Sequence, residues 1–84
     1  MKENNFHYVY ILQSKKFPER YYTGCTADLH ARLQKHNEGG CSHTSKYRPW
    51  RIEWAIAFSH KQKAIDFEKY LKTHSGRAFA SKHF

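Results

Sequence analysis

The stretch HYVYILQS (7–14) alternates, with Tyr8, Tyr10 and Leu12 on one side of an extended chain and Val9, Ile11 and Gln13 on the other. Both sides are apolar or aromatic, which predicts a strand in the middle of a sheet. KKFPER (15–20) is a charged turn around Pro18, and RYYTGC reads as a second strand, antiparallel to the first and ended by Gly24. Thr26 or Asp28 then caps a helix that runs to about Asn37, where Gly39 and Gly40 stop it. CSHTSKYRPWR (41–51) has no period and reads as a loop. IEWAIAFS (52–59) alternates again, Ile52, Trp54, Ile56 and Phe58 against Glu53, Ala55, Ala57 and Ser59, and predicts a third strand. Ser59 suits the N-cap of a second helix, HKQKAIDFEKYLKTH, with Gly76 as its end, and RAFASKHF adds a short terminal turn or helix.

The order β-β-α-β-α over residues 1–84 predicts a single α+β domain, a small three-stranded antiparallel sheet flanked by helices. Spacing leaves the strand order open. A chain of this length buries only about 60% of its unfolded surface, so each apolar position matters. Polar residues on packed faces therefore stand out. At about 100° per residue, Leu29, Arg32, Leu33 and His36 share one arc of the first helix, about 100° wide. An always-charged guanidinium there needs an anion or a path to water. Two readings follow: Arg32 snorkels along the core edge beside a satisfied His36, or both serve a site.

The second helix repeats the pattern. Ala64, Phe67 and Leu71 form its apolar stripe, and Glu68 falls between that stripe and Ile65. Such a carboxylate is either a divalent-metal ligand or acid/base group, or the partner of Lys72 or Arg32. Tyr8, Tyr10, Tyr21 and Tyr22 can place two hydroxyls on the face shared with Arg32 and Glu68, although tyrosine is also simply a good strand residue.

Charge adds a partner. Fifteen Lys and Arg against seven Asp and Glu give +8, which favours a polyanion. Seven histidines would strengthen anion binding below about pH 6.5. Lys46, Tyr47, Arg48, Trp50 and Arg51 interleave cations with aromatics and form a candidate nucleic-acid surface, in which Trp50 either stacks on bases or packs into the core. Cys25 and Cys41 are read as reduced thiols, since with His36 and His43 they lack the paired spacing of a zinc site. No apolar run reaches the ~18 residues of a membrane span, so a soluble, cytoplasmic protein is expected.

The ordered set YVYIL (8–12), YTG (22–24), TADLHARLQKH (26–36), HTSKYRPW (43–50), EKYLK (68–72) and SGRAF (75–79) resembles the GIY-YIG endonuclease domain, in its small standalone bacterial form. The resemblance runs from Tyr8 to about Phe79. It departs at Tyr8, where the family name has Gly, at Thr23, where it has Ile, and at Ala31, where many members are basic. It implies a divalent-metal-dependent DNA endonuclease using one Mg²⁺ or Mn²⁺ ion and in-line hydrolysis. By that likeness Glu68 would hold the ion and Arg32 would neutralise the scissile phosphate. Tyr10 or Tyr22 would position or deprotonate the water, His36 would support them, and Gly24 is part of the motif. A tyrosine base needs a pKa well below about 10, which Arg32 and the ion would have to provide. No feature reads base edges, so branched, nicked or otherwise structured DNA is the expected substrate, with RNA also open. The alternative is a nucleic-acid-binding module with little activity unless joined by a protein partner.

Overall fold

The computed structural model describes residues 6–83. The elements run β1 (His7–Ser14), β2 (Tyr21–Thr26), α1 (Leu29–Asn37), a 3-10 turn at Ser45–Tyr47, β3 (Trp50–Phe58), α2 (Lys61–Leu71) and α3 (His74–His83). The strands form one antiparallel sheet in the order β2-β1-β3. This is the expected α+β sandwich, and β1 takes the central place that its two apolar sides demand.

Each face of the sheet carries a thin core. On one, Tyr10, Leu12 and Trp50 pack with Tyr22, Leu29, Leu33, Tyr47 and Ile52, so α1 and the loop after it form the cover. On the other, Val9, Ala64 and Leu71 pack with Trp54, Phe58, Phe67 and Phe79 beneath α2 and α3. Val9 and Leu12 are wholly buried. Each such side chain contributes about 1.5–3 kcal/mol, so β1 supplies much of the stability of both layers. Among the described residues, no helix is long and apolar enough to cross a membrane.

Local chemistry sets the element ends. Asp28 caps α1, its carboxylate accepting the Ala31 amide at 3.0 Å. Thr26 supports that turn instead, its hydroxyl accepting the Asp28 amide at 3.1 Å. Past α1, Asn37 clamps the helix to β3, accepting the Trp50 amide at 2.6 Å and donating to the Trp50 carbonyl at 3.1 Å.

Four sequence expectations are corrected. The third strand does not alternate throughout: Ile11 faces Trp54 while Leu12 faces Ile52, leaving Glu53 as an extra residue in a bulge. Ile52 therefore joins the α1 core and Trp54 the opposite one. Gly24 lies inside β2 rather than ending it, paired with Tyr10. A Cβ at Gly24 would overlap the hydroxyl end of the Tyr10 ring, so the missing side chain is the room in which that ring lies. Gly76 does not end the second helix, because α2 stops at Leu71 and Gly76 sits in the first turn of α3. There a Cβ would strike the Tyr70 carbonyl, so glycine permits the close crossing of the two helices. Finally, His60 rather than Ser59 occupies the N-cap of α2, with no side-chain hydrogen bond to the helix.

Candidate active site

Tyr10 projects from the central strand toward α1, and one face of α1 meets it. Tyr10 is 1% exposed and His36 is fully buried, with the phenol oxygen 3.1 Å from His36 Nε2. The other ring nitrogen, Nδ1, lies 2.9 Å from the Thr44 hydroxyl. That hydroxyl donates to the Cys41 carbonyl at 3.2 Å, so its own oxygen is left to accept from His36 Nδ1–H. Nε2 then carries the lone pair and accepts from Tyr10. The result is a directed chain from Tyr10 O–H through His36 to Thr44 and the Cys41 carbonyl. Thr44 is held in turn by the Trp50 indole, which donates to its carbonyl at 2.9 Å.

Two neighbours complete this side. The half-buried Arg32 stands on α1 close enough for its charge to act on the Tyr10 hydroxyl. The Tyr22 ring packs with its centroid 4.9 Å from that of His36 and 6.5 Å from that of Tyr10. The spacing of Leu29, Arg32, Leu33 and His36 thus brings Arg32 and His36 to both strand tyrosines.

Burial decides the protonation states. It pushes the Tyr10 phenol up to about 12 despite the opposing pull of Arg32. Arg32 does pull the Tyr10 phenol down, but without an ion its effect is smaller than the desolvation of a phenolate on the central strand. Burial also lowers the His36 pKa, with Arg32 and then Lys35 adding to it. A neutral imidazole is what the directed chain requires, and His36 is therefore no part of any acid-strengthened anion surface.

Glu68 does not share a face with Arg32 and the tyrosines as the sequence suggested, because the helix that carries it covers the opposite side of the sheet from Tyr10, Tyr22 and α1. Glu68 stands on α2, its side chain 19% exposed, with Lys72 Nζ 2.8 Å away. Cys25, on the edge strand β2, reports the approach: its thiol is pushed up by burial and then by Glu68, and pulled back by Arg32 and Lys61. Arg32 and Glu68 thus approach β2 from opposite faces and meet electrostatically at Cys25. A cleft of about 310 Å³ opens beside it, lined by His7, Cys25, Thr26, Ala27, Lys61 and Ile65.

The loop cations separate from the tryptophan once grouped with them. Lys46 and Arg48 are exposed, the Arg48 guanidinium lying against Gly39, whose φ is +82°. Arg51 is exposed but engaged, paired with Glu53 at 2.7 Å and with Gln13. Trp50, expected among the nucleic-acid contacts, is 3% exposed with its N–H committed to Thr44. It is a core residue, because the space between β1 and the loop needs a large ring. Thr44 was not singled out by sequence, since a loop without period carries no sign of which residue turns inward.

A three-stranded α+β sandwich with tyrosines of β1 and β2 facing an arginine and a histidine of α1, and a carboxylate on the helix across the sheet, has the layout of a known domain family. The GIY-YIG catalytic domain matches residues 6–82, and the chain belongs to the GIY-YIG family. It is 38% identical over 71 residues to the UPF0213 protein YazA of Bacillus subtilis, covering 83% of this chain and 70% of that one. It is also 38% identical over 71 residues to the structure-specific endonuclease subunit SLX1 of Scheffersomyces stipitis, covering 76% of this chain but 21% of that protein. The solution NMR structure of the UPF0213 protein BH0048 from Bacillus halodurans superimposes with a TM-score of 0.54 at 32% identity, covering 92% of this chain and 83% of that one.

Proposed function

We propose that this protein is a divalent-metal-dependent endonuclease that cuts branched, nicked or otherwise structured DNA by in-line attack of water on phosphorus. The observation that carries the proposal is a charged guanidinium, Arg32, held against Tyr10 on the packed face of a GIY-YIG catalytic domain. An arginine fixed there serves a phosphate better than it serves stability, because it offers preorganised charge to a pentavalent oxyanion. The substrate class follows the relatives called structure-specific endonuclease subunits.

The roles follow from protonation and access. Tyr22, half-buried, positions the attacking water. Tyr10, protonated at neutral pH, donates its hydroxyl proton to His36 Nε2 and so orients that ring beside Arg32. Neutral His36 could take the Tyr10 proton if an arriving cation drew the phenol toward phenolate. Glu68 would hold Mg²⁺ or Mn²⁺, which when bound supplies a Lewis acid at the leaving oxygen. A lone carboxylate suits a hard cation that fills the rest of its shell from water and phosphate.

The test is cleavage of branched, nicked and single-stranded DNA with Mg²⁺ or Mn²⁺, comparing wild type with Arg32→Ala and Glu68→Ala. Cutting by wild type alone supports the proposal. Equal background from all three proteins would sink it. A second reading, activity only with a protein partner, is favoured by the word subunit in the names of those larger relatives. It predicts that Arg32-dependent cutting emerges only when a partner is added.

A further inference from the structure

On the sheet face away from Tyr10, a groove of about 750 Å³ runs between the β2 edge and the corner of α2 and α3. Ile11, Thr23 and Trp54 form one transverse row across its floor, since Ile11 pairs with both of the others. Leu71 and Ala80 wall it from the helices. Three exposed cations stand at the rim from three separate elements: Arg20 before β2, Lys72 at the end of α2 and Arg77 in α3. Two carboxylates also line it; Glu53 is already met by Arg51 at 2.7 Å and Lys72 by Glu68 at 2.8 Å, leaving Glu19 against Arg20 and Arg77. The Arg20 guanidinium lies over the Tyr47 ring of the α1-side core, 4.8 Å from its centroid, so Arg77 is the cation committed to the groove.

An apolar floor with a flat indole and a cationic rim suits a ligand with a flat apolar body and an anionic edge. A nucleotide has that form. The volume falls within the roughly 300–1,000 Å³ of sites that enclose small ligands. Bases in a duplex are stacked away from such a floor, whereas unpaired bases are free to lie on aromatic rings. The groove also adjoins the candidate site, because its rim residue Lys72 is the 2.8 Å partner of Glu68.

We propose that this groove receives one or two unpaired nucleotides of the strand engaged by the active site, their bases against Trp54 and a phosphate on Arg77. The inference rests on the nuclease reading for the identity of the polymer. It makes the preferred substrate a DNA with a single-stranded arm, and it places strand binding on the opposite sheet face from Lys46 and Arg48.

The test is binding of a short oligothymidylate in EDTA, where no metal-dependent cutting intervenes, read by tryptophan fluorescence and by anisotropy of a labelled strand. Wild type should show quenching on addition of the strand. Trp54→Phe, which keeps a ring in the core, should lose that quenching because the buried Trp50 remains as the emitter. Arg77→Gln should weaken binding several-fold and reduce the slope of log affinity against log salt by about 0.7. Lys82→Gln, a charge-matched change in α3 outside the groove, should have the smaller effect. Absence of quenching, equal effects of Arg77→Gln and Lys82→Gln, or affinity carried by Lys46 and Arg48 would each overturn the groove. Failure to cut with intact Trp54 quenching would instead refute the nuclease reading alone, since the two measurements are separate.

Discussion

Replacing Gly24 by alanine should damage the site by adding a single methyl group. The new Cβ would overlap the hydroxyl end of Tyr10, and the ring has nowhere to go. Tyr10 is 1% exposed, and its hydroxyl is tied to His36 at 3.1 Å. Overpacking costs about 1–3 kcal/mol, and a displaced ring leaves His36 Nε2 unpaired at a further cost of about 1–3 kcal/mol. A domain of this size is expected to have about 4–13 kcal/mol in total, so the variant should be strongly destabilised. At about 4–8 °C per kcal/mol, the melting temperature should fall by at least about 8 °C, readable by circular dichroism. Tyr10→Phe supplies the control. It removes both the outermost clashing atom and the bond that the clash would break. The double variant should therefore cost less than the sum of the singles by about 1 kcal/mol or more. A Gly24→Ala protein melting within about 2 °C of wild type, or a strictly additive double variant, would refute the steric argument.

Acid should weaken the fold through His36. Its folded pKa is lowered, so the unfolded chain binds the proton more readily, and stability falls as pH drops through about 6.5. The loss by pH 5.5 reaches at most about 1.4 kcal/mol, and urea midpoints for His36→Gln should show the shallower pH slope. At the alkaline end Tyr10, pushed up to about 12, should withdraw stability between about pH 10 and 12, a loss absent from Tyr10→Phe. Thr44→Val should leave His36 Nδ1–H unpaired and cost about 1–3 kcal/mol, with Thr44→Ser restoring it; ¹⁵N spectra still showing the Nδ1–H tautomer in the valine variant would contradict the directed chain. Lys72→Ala should tighten Mn²⁺ binding about two- to fivefold by removing the ammonium from Glu68, a modest gain because the pair is partly exposed, and unchanged calorimetry would show that Lys72 does not compete.

The fold was legible where a residue's neighbours in sequence are also its neighbours in space. The two-sided apolar pattern of β1 required a central strand, and the helical spacing of Arg32 and His36 put them on the covered face. What escaped depends on contacts between distant segments. No local pattern says that Thr44 will turn inward to meet His36, or that Gly24 is small because Tyr10 crosses it. The tryptophans show the same limit: Trp50 and Trp54 both sit in basic, aromatic surroundings, yet one is enclosed by the loop and the other lines a groove. Tyr10's proton affinity was out of reach for a related reason. Charge proximity can be guessed from spacing, but the depth of burial that outweighs it comes from the whole sheet.

The bulge at Glu53 makes β3 sensitive to length more than to composition. Side chains on either side of it serve opposite cores because Glu53 is the extra residue. Its deletion would leave Ile52 opposite Leu12 and Trp54 opposite Ile11 in an ordinary alternating ladder, whereas loss of a residue beyond it, such as Ala55, would invert the positions that follow. Ile56 and Phe58 would then turn away from the layer beneath α2. A codon lost past the bulge would therefore be worse for the protein than most substitutions, and related chains should vary freely in the turn at 15–20 while keeping the count of residues between Trp54 and Phe58.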